Sequence, residues 1–312
     1  MITIGIVTYN RPQFLRECIN SVLAQSHQDW QLIVSNDYLP NPVTFESLGI
    51  SQDPRIRIVN QAKNLGEIEN LNFLLQEANT NFFTWLCDDD LLHFSFVEVA
   101  IKSLQYYKFE EPVGFYSNYR TGLNYDIYGE EFEATFPDGI LYSSPKFIKE
   151  YLLRQIPLIG CYGVIKTSIL KKIGGFKRLG NSFGPYSDTV LPIKISQYGP
   201  IIYLPSKIVF LRTHQNSLSS NSNDFFAYTS AEDDFIRELI SVGNSASFPV
   251  DIDESIASAI KAVSHHNEEE TNLRELSVNK SIQWHEVRET SIFVCDCADD
   301  SCASINRQSI FI

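Results

Sequence analysis

Short apolar runs that alternate with amphipathic helical segments fill the first 90 residues, and this alternation limits the folds open to the chain. Residues 2–7 are almost continuously apolar, which is typical of a strand covered on both faces. Further strands are predicted at 31–34, 55–59 and 82–86, and helices at 12–25 and 66–78, where apolar residues recur at helical spacing. This order predicts an α/β fold with a doubly wound, mostly parallel central sheet flanked by helices.

The alternation of predicted strands and helices continues to about residue 216, and the sequence pattern then changes. Strands are predicted at 113–119, 160–165, 201–204 and 208–211, and helices at 94–107, 145–154, 168–173 and 189–198. Residues 120–144 predict an irregular loop or short hairpin of the kind that often covers a site. Residues 251–312 carry 12 acidic and 5 basic side chains, a net charge of −7. We therefore predict a domain of residues 1–216 and an acidic, mainly helical C-terminal extension of residues 217–312, with helices at 225–242 and 252–265.

The predicted strand at 82–86 runs into three consecutive carboxylates, Asp88, Asp89 and Asp90. In an open parallel sheet, ligands bind just beyond the carboxyl ends of the strands. Three acids there create a strongly negative site that a hard divalent cation such as Mg²⁺ or Mn²⁺ would neutralise, and such an ion commonly brings substrate phosphates with it. The alternative is a solvated acidic turn that caps the following helix.

Polar residues also follow the first two predicted strands. Residues 8–11 end the first strand, and Asn36 with Asp37 ends the second. Because parallel strands bring their carboxyl ends to one edge of the sheet, these two tips should meet the aspartate triplet there. The sequence therefore predicts one site at this edge.

Composition excludes several classes of protein. The formal charge of −13 argues against a broad face for binding nucleic acid. No stretch of about 18 apolar residues is present, so no spanning helix is expected. Residues 1–5 lack a basic segment followed by an apolar one, which predicts no signal peptide and a cytoplasmic location. Cys18, Cys87 and Cys161 stand in apolar surroundings and are predicted to be small core residues in a reducing compartment.

Taken together, these residues resemble the family 2 glycosyltransferases, which have the A-type glycosyltransferase fold (GT-A). The resemblance covers roughly residues 1–216. The matching segments, in order, are Ile4 to Arg11 with its Thr-Tyr-Asn-Arg-Pro, Ser21 to Ser26, Asp29 to Asp37, Asn64-Leu65-Gly66, Trp85 to Asp90, Gly174-Gly175-Phe176, Asp188 and Arg212-Thr213-His214.

The resemblance implies a nucleotide-diphosphate-sugar donor. Asp37 stands where family members hydrogen-bond the base, and a carboxylate can accept the imide proton of uracil or thymine, which favours a UDP- or dTDP-sugar. Asp88 matches the first acid of the Asp-X-Asp element and would contact the ribose or the sugar. The other residues that the resemblance assigns to donor binding are Thr8, Tyr9, Asn10, Arg11, Asn64 and Gly66. Asp37 could instead be a turn-forming residue, and Arg11 a plain surface residue.

The resemblance also implies a bound Mn²⁺ or Mg²⁺ ion and a general base. Asp89, Asp90 and His214 match the metal positions, and the ion would neutralise charge on the departing nucleotide. Asp188 would take the proton of the acceptor hydroxyl as that oxygen attacks the anomeric carbon, which inverts its configuration. His214 could instead be an ordinary buried or surface histidine, and Asp188 the N-cap of the next helix.

Three segments depart from the family pattern. Asn36-Asp37-Tyr38 stands where the family usually has two acidic residues and a glycine, and Ser187 replaces a glutamate before Asp188. Where many members have an arginine in the helix after the Asn-X-Gly turn, this chain has Asn70 or Leu71. If that arginine contacts phosphate in relatives, the metal or Arg11 must do more here.

Two other functions remain open at this stage: a non-catalytic nucleotide- or sugar-binding relative, and a nucleotidyltransferase on a related α/β scaffold. The second would need a glycine-rich, basic phosphate loop near the N-terminus, which is absent. For an enzyme, the expected acceptor is a glycan, a lipid-linked molecule or a protein, with peripheral membrane contact and oligomerisation through the extension both possible. Cys295, Cys297 and Cys302 predict either a weak zinc site with His285 or free thiols.

Overall fold

A mixed β-sheet covered by helices on both faces organises the chain. The structure is a computed structural model that describes residues 1–122, 125–128, 139–180, 186–214 and 225–243, with the side chains of the last segment described from residue 230. The strands are β1 (Ile2–Thr8), β2 (Trp30–Asn36), β3 (Ile56–Asn60), β4 (Phe82–Cys87), β5 (Leu91–Leu92), β6 (Gly114–Gly122), β7 (Ile140–Tyr142), β8 (Val164–Lys166) and β9 (Ile201–Arg212). The helices are α1 (Pro12–Leu23), α2 (Phe45–Leu48), α3 (Glu67–Glu77), α4 (Phe96–Tyr106), α5 (Ser144–Leu152), α6 (Thr167–Ile173), α7 (Ser187–Ser196) and α8 (Phe225–Gly243).

The strand order across the sheet is β3-β2-β1-β4-β8-β6-β9-β5, and β7 pairs with β9. The first four strands are all parallel, as the alternation of strands and helices predicts, and β6 is parallel to β9. The short strand β8 is antiparallel to both β4 and β6, and so joins the two parallel sets into one sheet. The predicted fold class is confirmed.

Each face of the sheet has its own hydrophobic core, because successive strand side chains point to opposite faces. On one face, the isoleucines of β1 pack against the apolar stripe of α1, which begins at Pro12, a favoured first helical residue. On the other face, Phe83 and Trp85 of β4 pack edge to face at 4.7 Å beneath α3. The indole N–H of Trp85 donates to the carbonyl of Leu71 at 2.8 Å, which fixes α3 to the sheet.

Two element predictions are wrong. Residues 201–204 and 208–211 belong to the single strand β9, because a register shift beside Ser117 and Asn118 accommodates Pro205, which has no N–H for the ladder. The strand predicted at 160–165 starts only at Val164 and follows a 3₁₀ turn at Gly160–Tyr162. That turn directs its first N–H to the Asp188 carboxylate instead of a neighbouring strand.

Helix α8 confirms the helix predicted at 225–242. It packs against α7: Phe235 stacks on Tyr186, the N-cap residue of α7, at 4.9 Å, and Glu238 pairs with Lys194 of α7 at 3.4 Å. None of the described helices has both the length and the hydrophobicity needed to cross a membrane. The helix predicted at 252–265 and the cysteines at 295, 297 and 302 lie outside the described residues. The division at residue 216 stays a prediction.

Candidate functional site

The carboxyl ends of β1, β2 and β4 meet at one edge of the sheet. In the register of the sheet, Thr8 lies opposite Asn36, and Val7 lies opposite Cys87. The amide of Asp37 donates to the carbonyl of Thr8 at 3.0 Å. The predicted convergence of the polar residues that follow these three strands is confirmed.

Asp88 is the innermost acid of the triplet and is fully buried. The Thr8 hydroxyl donates to its Oδ2 at 2.5 Å, and the Arg11 guanidinium lies 2.7 Å from its Oδ1. Burial raises the pKa of Asp88 to about 7, although the positive charge of Arg11 opposes this rise. Arg11 also contacts Asp89 at 2.5 Å and so bridges two of the three acids. It is therefore not a plain surface residue.

Asp89 and Asp90 have different partners. The imidazole Nε2 of His214 lies 3.1 Å from Asp89 Oδ2, and its ring stacks on Phe14 at 4.4 Å. Asp90 accepts a hydrogen bond from the Tyr162 hydroxyl and another, of 2.9 Å, from the backbone N–H of Arg212. Burial raises the pKa of Asp90 to about 8, with a further contribution from the charge of Asp89. The metal positions that the family resemblance assigns are thus gathered in one place.

The triplet does not cap a helix. The next helix, α4, begins at Phe96, and the two residues of β5 intervene between it and the triplet. Nor does Asp188 cap α7, since the N-cap position belongs to Tyr186 and Asp188 lies inside the first turn. Both capping alternatives are therefore wrong. None of these carboxylates therefore has helix capping as its role.

Arg212 is a component of the site that sequence reasoning did not assign. Its side chain is almost entirely buried, its guanidinium lies over the Phe14 ring at 4.7 Å, and it pairs with Glu17. The same group donates to the backbone carbonyl of Asp89. It therefore fixes the backbone of the aspartate triplet from the buried side. The Arg-Thr-His run was the available signal, but only its histidine suggested a role.

Asp188 lies on α7 and is held by the 3₁₀ turn before β8. The backbone N–H of Gly160 donates to its Oδ2 at 3.1 Å. A side chain at position 160 would not fit, since a Cβ there would stand 2.0 Å from the carbonyl oxygen of Asp188. Burial raises the pKa of Asp188 to about 6, and hydrogen bonds from Gly160 and Cys161 limit the rise. This carboxyl group changes its charge close to neutral pH.

Two thiols lie near Asp188 and the triplet. Burial raises the pKa of Cys161, and the neighbouring Cys87 thiol and Asp188 carboxylate add to the rise, which places Cys161 close to both. Cys87 and Cys161 are both partly exposed, unlike the fully buried Cys18. Cys18 is thus a core residue as predicted, and Cys87 and Cys161 are partly buried and pack against the core.

A second group of predicted residues forms the turn before α3. The carboxylate of Asp37 accepts hydrogen bonds from the backbone N–H groups of Leu65 at 2.7 Å and Gly66 at 2.8 Å, and the Asn64 side chain accepts from Gly66 at the same distance. Gly66 has φ of +82°, a conformation that favours glycine. Asp37 thus builds the turn, and its remaining lone pairs are available to a ligand.

Tyr9 and Asn10 lie in the loop between β1 and α1. Asn10 has a positive φ of 56°, which turns the chain so that Arg11 points back to the acids. Tyr9 is 50% exposed, and its ring meets that of Tyr38 edge to face at 5.0 Å. This aromatic pair flanks Asp37.

Glu67, the first residue of α3, also belongs to the site and was not predicted. Solvent reaches its side chain, yet the surrounding protein atoms raise its pKa to about 7, and the negative charge of Asp188 adds to the rise. The Arg11 and Asp89 charges also act on it. Nothing in the sequence pattern distinguishes Glu67 from a first-turn glutamate that stabilises its helix.

The site is suited to a divalent cation. One potential ligand atom from each of Cys87, Asp89 and Asp90 lies within 4.8 Å of the other two. Carboxylate oxygens are the ligands that Mg²⁺ and Mn²⁺ prefer. The predicted metal ligands Asp89 and Asp90 therefore fit such an ion, and the predicted ligand His214 lies beside Asp89 at 3.1 Å.

The buried acids lead to a prediction about stability without metal. Asp88, Asp90 and Asp188 have raised pKa values of about 7, 8 and 6, so the folded chain holds their protons more tightly than the unfolded chain. Stability should then fall as pH rises from about 4 to 8, because folding must increasingly bury ionised carboxylates. We expect the melting temperature in the presence of a chelator to be higher at pH 5 than at pH 8. Adding Mn²⁺ at pH 8 should restore it, and a melting temperature that rises with pH would contradict this electrostatic account.

The similarities to known proteins agree with this geometry. A family model described as glycosyl transferase family 2 matches residues 3–173. An uncharacterized glycosyltransferase of Haemophilus influenzae is 24% identical over 228 residues, which are 72% of this chain and 68% of that protein. An uncharacterized glycosyltransferase of Rickettsia felis is 25% identical over 72% of this chain, but the match spans only 36% of its length.

Two solved structures share the fold. The structure of residues 1–349 of TarS from S. aureus in complex with UDP-GlcNAc covers 92% of this chain and 78% of its own, with a TM-score of 0.61 and 14% identity. The mannosyltransferase PcManGT from Pyrobaculum calidifontis, in complex with GDP-Man and Mn²⁺, covers 90% of this chain and 81% of its own, with a TM-score of 0.50 and 13% identity.

Proposed function

The chain belongs to glycosyl transferase family 2, and we propose that it moves a sugar from a nucleotide-diphosphate-sugar to an acceptor hydroxyl in one inverting displacement that depends on a divalent cation. The observation that carries this proposal is that Asp188 lies close to the aspartate triplet. Its pKa is raised to about 6, and Cys161 lies near both Asp188 and Cys87, the residue that precedes the triplet. A base near neutral pH thus stands beside a cluster suited to a metal-bound pyrophosphate.

The donor nucleotide would lie over the carboxyl ends of β1 and β2. Asp37 would accept the imide proton of uracil or thymine with a lone pair that the turn before α3 leaves available. Tyr9 and Tyr38 would offer the base an aromatic surface. The nucleotide-sugar complexes of TarS and PcManGT support a donor of this class, and a UDP- or dTDP-sugar is our first candidate.

Asp89, Asp90 and His214 would hold the cation, which when bound supplies Lewis-acid stabilisation of the departing nucleotide diphosphate. Arg11 carries the positive charge closest to Asp88 and Asp89, at 2.7 and 2.5 Å. Because Asn70 or Leu71 stands where the family resemblance implies an arginine, Arg11 or the metal would contact phosphate here. Asp88 would then bind a hydroxyl of the ribose or the sugar.

Asp188 would accept the proton of the acceptor hydroxyl. Its carboxylate is oriented by the Gly160 N–H, so that the base keeps one position during the reaction. A base with a pKa close to the working pH combines a useful ionised fraction with sufficient basicity. Attack from the face opposite the nucleotide would invert the anomeric carbon.

The direct test is a donor screen with the purified chain, in which each nucleotide-sugar is supplied with Mn²⁺ or Mg²⁺ and release of nucleotide diphosphate is measured. We expect one donor to be hydrolysed or transferred, and chelation to stop the reaction. Once an acceptor is identified, nuclear magnetic resonance of the product would report the anomeric configuration of the transferred sugar. Absence of turnover with every donor, together with tight nucleotide binding, would favour a binding protein over an enzyme.

The pH dependence of the reaction should report Asp188. The carboxylate must be ionised to take a proton, so kcat/KM should rise with pH through about 6 and level off above it. The measurement is a rate profile from pH 4.5 to 8.5 at saturating metal, with metal occupancy checked at each pH. Rates that are highest at pH 4.5 would contradict the assignment of Asp188 as the base.

Loss of the exposed ring of Tyr9 should weaken donor binding. Base–aromatic stacking contributes about 1–3 kcal/mol, which predicts that Tyr9→Ala raises the Kd for the nucleotide about 5- to 150-fold. Isothermal titration calorimetry with the nucleotide and metal would measure this change. Tyr106→Ala removes a similarly exposed ring from the end of α4 and is the matched control. Equal effects of the two substitutions would refute a stacking role.

A further inference from the structure

The group of potential metal ligands includes one atom, the sulfur of Cys87, that the transfer reaction does not require. Cys87 is the last residue of β4, immediately before the triplet, and its side chain is partly exposed. Its sulfur and one oxygen from each of Asp89 and Asp90 lie within 4.8 Å of one another. Carboxylates alone suit the hard ions Mg²⁺ and Mn²⁺, whereas a thiol does not add to their binding.

We infer that Cys87, Asp89 and Asp90 form a binding site for a thiophilic divalent cation, with zinc as the best fit, and that this ion competes with the Mg²⁺ or Mn²⁺ of the transfer reaction. The competition rests on the proposed function, whereas the binding does not. On loading, the Cys87 thiol releases its proton to solvent, its sulfur bonds to the ion, and water leaves the ion.

The dimensions of the cluster agree with zinc. Zinc takes four ligands in a tetrahedron, with bonds of about 2.3 Å to sulfur and about 2.0–2.2 Å to oxygen, so its ligand atoms stand about 3.5 Å apart. The three donor atoms therefore need to close by about 1.3 Å at most, which side-chain rotation can supply. A mixed set of sulfur and carboxylate ligands is a normal one for zinc.

The fourth position would belong to water, as in zinc sites with three protein ligands. His214 Nε2 lies 3.1 Å from Asp89 Oδ2, but its ring nitrogens are not part of the group of ligand atoms that lie within 4.8 Å of one another. A set of one thiolate and two carboxylates binds zinc more tightly than Mg²⁺ or Mn²⁺, because affinity for sulfur donors is higher for zinc than for these hard ions.

Cobalt provides a direct test, since Co²⁺ enters zinc sites and a thiolate bonded to it gives a charge-transfer absorption in the near ultraviolet. The experiment uses the full-length chain with Cys295, Cys297 and Cys302 replaced by serine, so that thiols of the C-terminal extension do not contribute. We expect the band in this background and in Cys18→Ser, which removes a buried thiol outside the cluster. Cys87→Ser should abolish the band and raise the Kd for Zn²⁺ by more than the about 10–100-fold that loss of an outer partner costs.

A second measurement needs no variant of Cys87. Zn²⁺ should protect the Cys87 thiol of that same serine background from alkylation by iodoacetamide, read by mass spectrometry, while Mg²⁺ should not. If neither the band nor the protection appears, the site does not exist, even if donor turnover with Mn²⁺ supports the proposed function. If both appear but no donor is turned over, the zinc site stands and the proposed function falls. If both functions are present, Zn²⁺ should inhibit the Mn²⁺-supported reaction and excess Mn²⁺ should relieve the inhibition.

Discussion

Asp188→Asn is expected to lower kcat about 10²- to 10⁴-fold, the usual contribution of a general base. The amide has nearly the same shape as the carboxylate, and its oxygen can still accept the hydrogen bond from Gly160. It cannot take a proton from the acceptor. We therefore expect the fold and metal-dependent nucleotide binding to be preserved while turnover is lost, measured by steady-state rates and by calorimetry.

Asp53→Asn is the matched control, because Asp53 is a carboxylate that pairs with Arg55 away from the aspartate triplet. It should leave kcat within about twofold, as surface substitutions away from a site have small effects. The acidic limb of the pH profile should persist in this control. Retention of full turnover by Asp188→Asn would remove Asp188 from the mechanism, and loss of nucleotide binding would indicate a structural role instead.

The sequence was sufficient to locate one half of the site because that half is built locally. Thr8, Asp37 and Asp88 follow strands whose apolar patterns are clear, and parallel pairing brings such tips together without any knowledge of side-chain contacts. The turn of Gly66 was likewise visible as an Asn-X-Gly segment at the start of a helix. The hydrophobic periodicity of the strands and the residue types of the turn were thus sufficient to predict this half of the site.

The other half depends on contacts between residues far apart in the chain. Tyr162 donates to Asp90 across 72 positions, and Arg212 reaches the carbonyl of Asp89 across 123. Neither residue has a local pattern that separates it from an ordinary tyrosine in a turn or an arginine at a strand end. The role of Gly160 is of the same kind, since it depends on the approach of α7.

Burying three adjacent acids is costly, and the arrangement of cations around them is the physical solution. Arg11 lies in front of Asp88 and Asp89, where a donor phosphate could attract it. Arg212 lies behind the triplet, bonded to backbone carbonyls and to Glu17, where no ligand can reach it easily. Arg11 is thus suited to binding a ligand, and Arg212 to stabilising the fold.

Arg212→Met is accordingly expected to destabilise the fold by about 3–5 kcal/mol, the cost of removing one member of a buried charge group. Methionine preserves much of the volume against the Phe14 ring, so packing loss is small. What remains is a cluster of acids with one cation fewer and carbonyl oxygens that lose their donor. Urea denaturation monitored by circular dichroism, in the absence of metal, would measure the change in the free energy of unfolding.

Two variants separate charge from geometry at this position. Arg55→Met removes an arginine that stacks on Trp30 at 3.8 Å and pairs with Asp53 at the surface, and it should cost less than about 1 kcal/mol. Arg212→Lys keeps the positive charge but lacks the planar fork that serves several acceptors at once, so its cost should fall between the two. If Arg212→Met cost no more than Arg55→Met, the acids would not depend on Arg212, and their burial would have to be compensated by their own protonation alone.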